Sequence, residues 1–394
     1  MPKWKIAVLF FLCTALLLTS LSLPVHAEPT VPSAPTPPSV SAKSAILIEA
    51  ESGNCIYEKN ADEVLPMAST TKIMTALVAL EALSPDTVIT IPACAIGTEG
   101  SSVYLLEGEQ LTLEQLLYAL MLESANDAAV AIAVGVAGSA EEFAERMNRK
   151  AEALGLSNTR FANPHGLDAE QHYTTARELS VITAHALQNE LFRTIVSTRK
   201  TTIPHAGTDG ARLLVNHNKL LRLYEDCIGV KTGYTSQSGR CLVSAAERDG
   251  VTVIAVTLSA SDDWNDHQKL LDYGFTQYIS VTLCEAGAYT LPLTVVGGAD
   301  TYVTLSNQEG LQTVLPIDHP PVFVTVEMPR FEYAPIKAGE AEGAVVFRCD
   351  LNGDGVTEII GKVALEACYN VEQKKQKKSF WQWLCSLFSR KKEV

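Results

Sequence analysis

The sequence predicts an α/β (α+β) domain with an antiparallel sheet and a helical cluster, followed by a small C-terminal all-β domain. Two hairpin-like pairs of strands lie near residues 45–57 and 241–259, and helical periodicity fills the chain between them. A sheet with this order of elements is assembled from both ends of the domain. From residue 281 onwards short β-rich runs replace the helical pattern, and a length of 394 residues is itself typical of two domains.

The N-terminal segment predicts export. Lys3 and Lys5 precede an almost wholly apolar run, and small residues around Ala27 fit a signal peptidase site. We therefore expect a cleaved signal peptide over residues 1–27, with an uncleaved anchor as the alternative. The proline-rich residues 28–42 have no apolar periodicity and are expected to form an extended linker.

The first domain is expected to span residues 43–280. It begins with an apolar strand at residues 45–48, which the turn Ser52-Gly53-Asn54 connects to a second strand. The pattern Ser/Thr-x-x-Glu/Gln predicts the start of a helix, because each of its two side chains can bond the backbone N–H of the other residue. The pattern occurs in the helical region at Thr112–Gln115, Ser139–Glu142 and Thr175–Glu178.

Strands return at the end of this domain. Arg248-Asp249-Gly250 separates two β-rich runs and predicts a hairpin, and a helix around residues 266–274 is expected to follow it. Residues 281–370 are then expected to form the all-β domain. Its predicted strands are residues 302–305, 322–326, 344–347 and 363–365.

A first chemical motif lies at Ser69-Thr70-Thr71-Lys72. Apolar residues at helical spacing follow it, so Ser69 is expected at the start of a helix, where backbone N–H groups and the helix dipole face its oxygen. Lys72 lies on the same helical face and could remove the serine proton if it is desolvated. Taken alone, the pair is better explained by a helix-capping serine beside a solvated lysine.

Two further motifs follow in the chain. Ser124-Ala125-Asn126 comes just after a leucine-rich helix, where a turn between helices is the simpler explanation. Lys231-Thr232-Gly233 lies on a predicted strand, where Gly233 lets backbone approach closely and Lys231 could hold a carboxylate. The simpler explanation of Lys231 is a charge that protects an edge strand from aggregation.

The three motifs in this order resemble the signature of the penicillin-recognising serine enzymes. Longer stretches around Ser69, at residues 161–167 and at residues 229–235 are similar to the low-molecular-mass D-alanyl-D-alanine carboxypeptidases of the S11 peptidase class. The resemblance covers roughly residues 43–280. It implies a β-lactamase/transpeptidase-like catalytic domain and a peptidoglycan stem peptide ending in D-Ala-D-Ala as substrate, with β-lactam antibiotics as covalent ligands.

The resemblance also implies a role for each motif residue. The substrate carbonyl acylates Ser69, and the backbone N–H groups of Ser69 and Tyr234 form an oxyanion hole. Lys72 is then the base that accepts the serine proton, and Ser124 relays a proton to the leaving group. Asn126 binds the substrate amide, and Lys231 and Thr232 bind the terminal carboxylate. Gly233 lies between Thr232 and Tyr234 in this binding segment. Whether Lys72 is the sole base is left open.

Several alternatives are weighed against this interpretation. A class A β-lactamase has the same motifs but needs a deacylating Glu, and residues 156–167 contain no acidic residue. A zinc peptidase and a Ser-His-Asp hydrolase are disfavoured because neither H-E-x-x-H nor G-x-S-x-G occurs. A catalytically silent cell-wall-binding scaffold remains as the alternative of a different class, although all three motifs are intact.

The amino-acid composition excludes some classes of binding partner. The net charge of -14 argues against nucleic acid, because a phosphate-binding surface needs excess Lys and Arg. The nine cysteines include no C-x-x-C pair, so we expect mostly buried thiols and one or two disulfides.

Asp350, Asn352 and Asp354 resemble the start of an EF-hand loop, but Gly361 stands at its twelfth position, and a turn is favoured. No metal or cofactor is expected.

Residues 371–394 form a basic and aromatic tail. Apolar residues fall on one helical face of this tail, between clusters of Lys and Arg. The apolar run is too short to span a bilayer, but it is typical of an amphipathic helix that lies in an anionic membrane interface. The face consists of Phe380, Trp381, Leu384, Leu387 and Phe388. We therefore expect an exported protein attached peripherally to the outer face of the cytoplasmic membrane.

Overall fold

The computed structural model describes residues 36–206 and 210–375. The predicted signal peptide, most of the predicted linker and the tail from residue 376 onwards lie outside the described residues. From Pro37 onwards the described residues belong to one unit. Its strands are β1 (Ser44–Glu49), β2 (Cys55–Lys59), β3 (Val88–Thr90), β4 (Gln110–Thr112), β5 (Lys200–Pro204), β6 (Ala211–Val215), β7 (Cys227–Thr235), β8 (Gly239–Arg248), β9 (Val251–Ala260), β10 (Tyr278–Cys284), β11 (Thr290–Val296), β12 (Tyr302–Ser306), β13 (Leu311–Pro316), β14 (Phe323–Glu327), β15 (Phe331–Tyr333), β16 (Ala341–Cys349) and β17 (Glu358–Ala367).

A five-stranded antiparallel sheet forms the centre of the first domain. Its order is β2-β1-β9-β8-β7, so the first strands of the domain pair with the last ones, as the sequence predicts. The turn between β8 and β9 places Asp249 and Gly250 at positive φ, which is the geometry of a two-residue hairpin turn that twists with its strands. Strand β7 lies at the edge of the sheet and leaves one side of its backbone unpaired.

Helices cover both faces of this sheet. Because side chains alternate along a strand, Ile46 and Val256 face a large helical cluster, whereas Leu47 and Ala255 face the last helix and its Leu270. The helices are α1 (Lys72–Ala82), α2 (Leu113–Leu122), α3 (Asn126–Ala137), α4 (Ala140–Ala153), α5 (Ala176–Leu187), α6 (Glu190–Ser197), α7 (Leu220–Leu223) and α8 (Asp263–Gly274).

The three predicted helix starts are confirmed, but they differ in detail. Thr112 and Gln115 form a complete capping box, with bonds in both directions. Thr175 caps α5 in the same way, yet the Glu178 side chain turns away and accepts from the backbone N–H groups of Ser157 and Asn158. A carboxylate that is expected to cap its own helix therefore holds the loop before residues 161–167.

Packing begins before Lys43, the residue at which the sequence predicts the start of the ordered domain. Val40 and Ala42 are buried, and Ser41 donates from its backbone N–H and its hydroxyl to the Asp266 carboxylate, at 2.9 Å and 2.7 Å. The last residues of the predicted linker thus pack against α8. Composition alone did not reveal this, because the two apolar residues are embedded in a proline-rich segment.

The C-terminal part of the described chain contains only strands, as predicted. Six strands form one sheet in the order β14-β16-β17-β12-β11-β15, and β10 pairs separately with β13. Strands β10, β11, β13 and β15 were not predicted. β10 spans the proposed boundary at residue 280, and Val371 and Gln373 bridge to Ile336 and Gly298, so the first residues of the predicted tail belong to this domain.

The described cysteines are all free thiols. Cys227, Cys241, Cys284 and Cys349 are buried, whereas Cys55, Cys94 and Cys368 are exposed. The expectation of mostly buried thiols holds for four of the seven, and none of these seven forms the expected disulfide. At the segment that resembles an EF-hand, the Asp350 carboxylate accepts from the backbone N–H groups of Asp354 and Gly355, which closes a turn between β16 and β17.

Candidate active site

Ser69 lies in a 3₁₀ turn, Ala68–Thr71, that leads directly into α1. The side chain of Ser69 caps neither this turn nor the helix, which contradicts the simpler capping explanation. Ala68 before it has φ of 47°, a left-handed conformation that is unfavourable for a residue with a side chain. The backbone is therefore bent sharply at the residue that carries the hydroxyl.

Lys72 is fully buried beneath Ser69. Its Nζ donates to Ser69 Oγ at 3.0 Å, to Asn126 Oδ1 at 2.7 Å and to the His165 carbonyl at 2.6 Å. Burial lowers the pKa of this amine well below its usual value, and the nearby charge of Lys231 lowers it further, while Asp127 acts in the opposite direction. A lysine in this environment loses its proton more readily than a lysine in water, which makes the neutral form that can accept a proton more accessible. The solvated-lysine alternative is therefore wrong.

The second motif supplies one wall of the site. Ser124 has φ of 58° in the connection between α2 and α3, and it lines the open cleft. Asn126 begins α3 and is buried, with its Nδ2 donating to the Glu99 carbonyl at 2.6 Å. Since its Oδ1 accepts from Lys72, both ends of the Asn126 amide already contact the protein. A residue expected to bind the substrate amide thus holds the lysine in place.

The third motif forms the opposite wall, on edge strand β7. Thr232, Gly233 and Tyr234 line the cleft, and Tyr234 is largely exposed. A Cβ at Gly233 would lie 3.1 Å from the Ser69 backbone nitrogen, which is tighter than an ordinary contact, so glycine favours this close approach of β7 to the turn. The strand is thereby brought against the residue that carries the hydroxyl.

Lys231 is buried behind this wall. It donates from Nζ to the Thr232 carbonyl at 2.9 Å. Burial lowers its pKa to about 7. An edge-strand lysine that protects against aggregation would be solvated, so that explanation does not fit.

The loop that contains His172, for which no role is predicted, also supports the turn at Ser69. His172 Nδ1 accepts from the Ala162 N–H, so its Nε2 carries the proton and donates to Thr71 Oγ1 at 2.7 Å. Thr71 in turn donates to the Ala68 carbonyl at 2.8 Å. Burial lowers the pKa of His172 to about 4 and keeps this relay uncharged. Gly166 passes so close that a Cβ there would lie 2.0 Å from the Ala68 oxygen.

Asp127 is a second residue without a predicted role. Its buried carboxylate accepts from the Ser102 hydroxyl at 2.6 Å and from the Leu105 N–H at 3.0 Å. It therefore holds the rim of the cleft that carries Ser101. Its position directly after Asn126 was the available signal, but a carboxylate at the first turn of a helix is common for other reasons.

The three motifs meet in one open cleft of about 620 Å³. Ser69, Ser124, Thr232, Gly233 and Tyr234 line it, whereas Lys72, Asn126 and Lys231 are buried behind its surface. All eight residues predicted from the motifs are thus brought together. Within the described residues, no three His, Cys, Asp or Glu side chains are grouped so that they could hold a metal ion.

Known proteins share this architecture. The sequence matches the peptidase S11 family, D-alanyl-D-alanine carboxypeptidase, over residues 31–262. It is 34% identical to the D-alanyl-D-alanine carboxypeptidase DacF of Bacillus subtilis (strain 168), over 78% of this chain and 82% of that protein. It is 36% identical to a D-alanyl-D-alanine carboxypeptidase of Streptomyces sp. (strain K15), over 62% of this chain and 91% of that protein.

A solved structure extends the likeness to the second domain. Penicillin binding protein 5 from Haemophilus influenzae aligns with a TM-score of 0.62 and 28% identity, over 86% of this chain and 100% of that chain. An alignment of this extent includes strands of the all-β domain as well as the catalytic domain, and the predicted fold class is confirmed. The family match, the relatives and the shared fold agree: the chain belongs to the peptidase S11 family, the D-alanyl-D-alanine carboxypeptidases.

Proposed function

We propose that this enzyme removes the terminal D-alanine from peptidoglycan stems ending in D-Ala-D-Ala through an acyl-enzyme on Ser69. The observation that carries the assignment is the 3.0 Å contact between Ser69 Oγ and the Nζ of a fully buried Lys72. A desolvated amine with a lowered pKa is suited to take the serine proton, which produces the nucleophile. Family membership supports both the serine peptidase class and covalent binding of β-lactams.

Acylation begins when Lys72 accepts the Ser69 proton. The Ser69 oxygen attacks the carbonyl of the penultimate D-alanine, and the N–H groups of Ser69 and Tyr234 stabilise the oxyanion. The close approach of Gly233 to the Ser69 nitrogen supports this pairing of donors, because it brings the two backbone segments together. Ser124 passes a proton to the leaving amine, D-alanine departs, and water hydrolyses the ester.

The carboxylate of the terminal D-alanine is bound by Lys231 and Thr232. Both belong to the β7 wall, and a buried cation is attracted strongly to an anion where water is excluded. The bound carboxylate also favours the protonated form of Lys231, whose pKa without it is about 7. Substrates that carry an amide in place of this carboxylate are expected to be poor.

Asn126 is assigned a positioning role in addition to the predicted contact with the substrate amide. Its two hydrogen bonds, to Lys72 and to the Glu99 carbonyl, fix the amine under Ser69. An amide that also contacts substrate has to do so through its second N–H or its second lone pair.

The assignment is tested with fluorescent penicillin followed by peptide mapping. The label is expected on Ser69, and Ser69→Ala is expected to take no label and release no D-alanine. Ser101→Ala, which changes another serine of the same cleft, is the matched control and should be labelled. A Ser69→Ala protein that still takes the label would falsify the assignment.

The same experiment separates the alternatives. A silent scaffold takes no label at all. A β-lactamase hydrolyses penicillin rapidly over many turnovers. Hydrolysis of the penicilloyl-enzyme is expected to be slow here, because residues 156–167 contain no acidic residue to activate a deacylating water.

The chain is an exported protein, as its family and its peptidoglycan substrate require. We further propose cleavage of residues 1–27 and peripheral attachment through the tail on the outer face of the cytoplasmic membrane. The described residues include no helix long and apolar enough to cross a membrane.

Removing residues 380–394 is expected to release the enzyme from liposomes and to leave hydrolysis of a soluble peptide unchanged. Continued binding would make the N-terminal segment the leading candidate anchor.

A further inference from the structure

Exposed aromatic side chains lie together on the outer face of the all-β domain. Tyr302, Phe331 and Tyr333 are 57%, 47% and 62% exposed, and Val296 beside them is 41% exposed. The rings of Phe331 and Tyr333 pack edge to face, 5.6 Å apart. These four residues are called the aromatic patch below.

Strand register places the patch on one face. Thr294 of β11 pairs with Tyr302 on one side and with Phe331 on the other, and Val296 pairs with Tyr333. Paired residues point to the same side of a sheet, and the alternate residues Leu293 and Val295 are buried. The patch is therefore the outward side of three adjacent strands, while their inward side forms the core.

The chain leaves the domain at this patch. Gln373 bridges to Gly298, and the Lys374 N–H donates to the Gly297 carbonyl at 2.8 Å, directly after Val296. Five residues separate Lys374 from Phe380, the first aromatic residue of the tail's apolar face. Even fully extended, they span no more than about 20 Å.

The catalytic domain lies at the other end of these strands. The turn between β16 and β17 faces it across a cavity of about 510 Å³ lined by Glu51 and Asn352. Along the paired strands, the register passes from Cys349–Glu358 at that turn, through Ser306–Glu366, to Tyr302–Thr294 at the patch. The patch is thus at the end of the domain that is distant from the active site.

We propose that the aromatic patch docks onto the lipid surface and enters the interfacial layer of the membrane. The inference rests on the proposed attachment through the tail, which brings lipid to within the short reach of Lys374. Tyrosine and phenylalanine rings are favoured at this depth, where the ring is buried and the tyrosine hydroxyl stays hydrated. The domain then has two contacts with the membrane, which fixes its orientation and points the cleft away from the lipid.

Charge around the patch is mixed. Asp300 and Glu372 are exposed near Lys374 and Lys375, so this end of the domain has no net positive surface to attract anionic lipid. Binding by the patch is therefore apolar in origin, whereas the basic tail supplies the electrostatic attraction. The contribution of the patch should be the same at low and at high salt.

The test is flotation of the full chain, after removal of residues 1–27, with vesicles of phosphatidylglycerol and phosphatidylethanolamine. The double variant Phe331→Ser with Tyr333→Ser is expected to need about tenfold more lipid for half-maximal binding, at low and at high salt alike. Phe323→Ser is the matched control, since Phe323 is 54% exposed at the other end of the same sheet. All variants should release D-alanine from a soluble peptide at the wild-type rate.

The possible outcomes separate the two proposals. Binding that is lost without residues 380–394 but unchanged in the double variant keeps the tail anchor and overturns the patch. Binding that persists without the tail overturns the anchor itself. Tighter binding by the double variant shows that the tail, rather than lipid, occupies the patch. Changes of Phe331 and Tyr333 to Trp should retain wild-type binding because the interface also favours Trp, and a tenfold loss in this pair would overturn docking of the patch on lipid.

Discussion

The two domains differ in what they bury. The catalytic domain encloses two lysines, several carboxylates and two histidines, and it holds Ala68 and Ser124 at positive φ beside the cleft. Within the described part of the all-β domain, Asn307 is the single buried polar residue, and positive φ is confined to glycines. Desolvated charge and backbone strain are unfavourable for folding, so the presence of Lys72, Ala68 and Ser124 beside Ser69 marks this region as built for chemistry.

Each domain contains both closely packed and open glycines, and only the packed ones in the catalytic domain include contacts with the turn at Ser69. Near the active site, Gly166 is needed because a Cβ there would overlap the Ala68 backbone, and Gly233 leaves room for a close approach of β7 to Ser69. In the all-β domain, Gly339 and Gly353 adopt positive φ in turns with nothing within 4 Å of a Cβ. Gly166 and Gly233 allow close packing around the nucleophile. Gly339 and Gly353 allow only the backbone conformation of their turns.

The largest expected effect distinguishes the buried and exposed lysines. Lys72→Met should lower kcat/KM for D-alanine release by about 10²–10⁴, because it removes the base that contacts Ser69. Lys362→Met, a lysine that is exposed in the all-β domain, should change it less than about twofold. Steady-state kinetics on a soluble pentapeptide measures both. A similar loss of kcat/KM in the two variants would show that the buried Lys72 has no special catalytic role.

A smaller effect is expected from alanine at the two kinds of glycine. Gly166→Ala should destabilise the fold by about 2–4 kcal/mol, since its Cβ would meet the Ala68 oxygen at positive φ. Displacement of the turn should also lower kcat/KM by about a hundredfold. Gly339→Ala should lose about 1–2 kcal/mol and no activity. Urea unfolding and kinetics are the measurements, and full activity in Gly166→Ala would contradict the proposed fit.

The pH dependence of the cleft tests Lys231. Because its pKa in the free enzyme is about 7, the protonated form that binds a carboxylate is present below this pH and is lost above it. The value of kcat/KM should therefore fall as pH rises through about 7. Bound substrate carboxylate raises the pKa of Lys231, so kcat should fall only at a higher pH. Coincident pH limits for kcat and kcat/KM would argue against a carboxylate bound at Lys231.

The smallest effect is expected on the exposed strand β14. Val324→Thr alters an outward side chain on a strand whose five residues are all exposed. The free energy of unfolding should change by no more than about 0.5 kcal/mol, and activity should not change. A loss near 2 kcal/mol would show that β14 is covered by another surface.

The sequence predicts most clearly what depends on neighbouring residues. The Thr112–Gln115 capping box, the hairpin turn at Asp249-Gly250 and the motif around Ser69 are all local patterns, and each lies where it is expected. The pairing of the first and last strands also followed, because the order of elements restricts the possible sheets.

Contacts between distant residues could not be predicted in this way. The His165 carbonyl that holds Lys72 lies 93 residues further along the chain, and a backbone oxygen leaves no trace in residue identity. Strand β15 contains three residues and pairs in parallel with β11, so it is too short for an alternating pattern to be recognised. The burial of Val40 and Ala42 likewise depends on where α8 lies.

The position of β1 inside the sheet constrains when this protein can fold. Its residue Ile46 pairs with Val256 of β9. One of the first strands of the domain to be synthesised therefore pairs with one of the last strands. Closing so long a loop is entropically unfavourable, and the pairing forms only after the intervening chain is available. During export from the N-terminus, β1 therefore reaches the outside well before its partner. Until β9 follows, the central sheet cannot be completed, because β1 has no partner on that side.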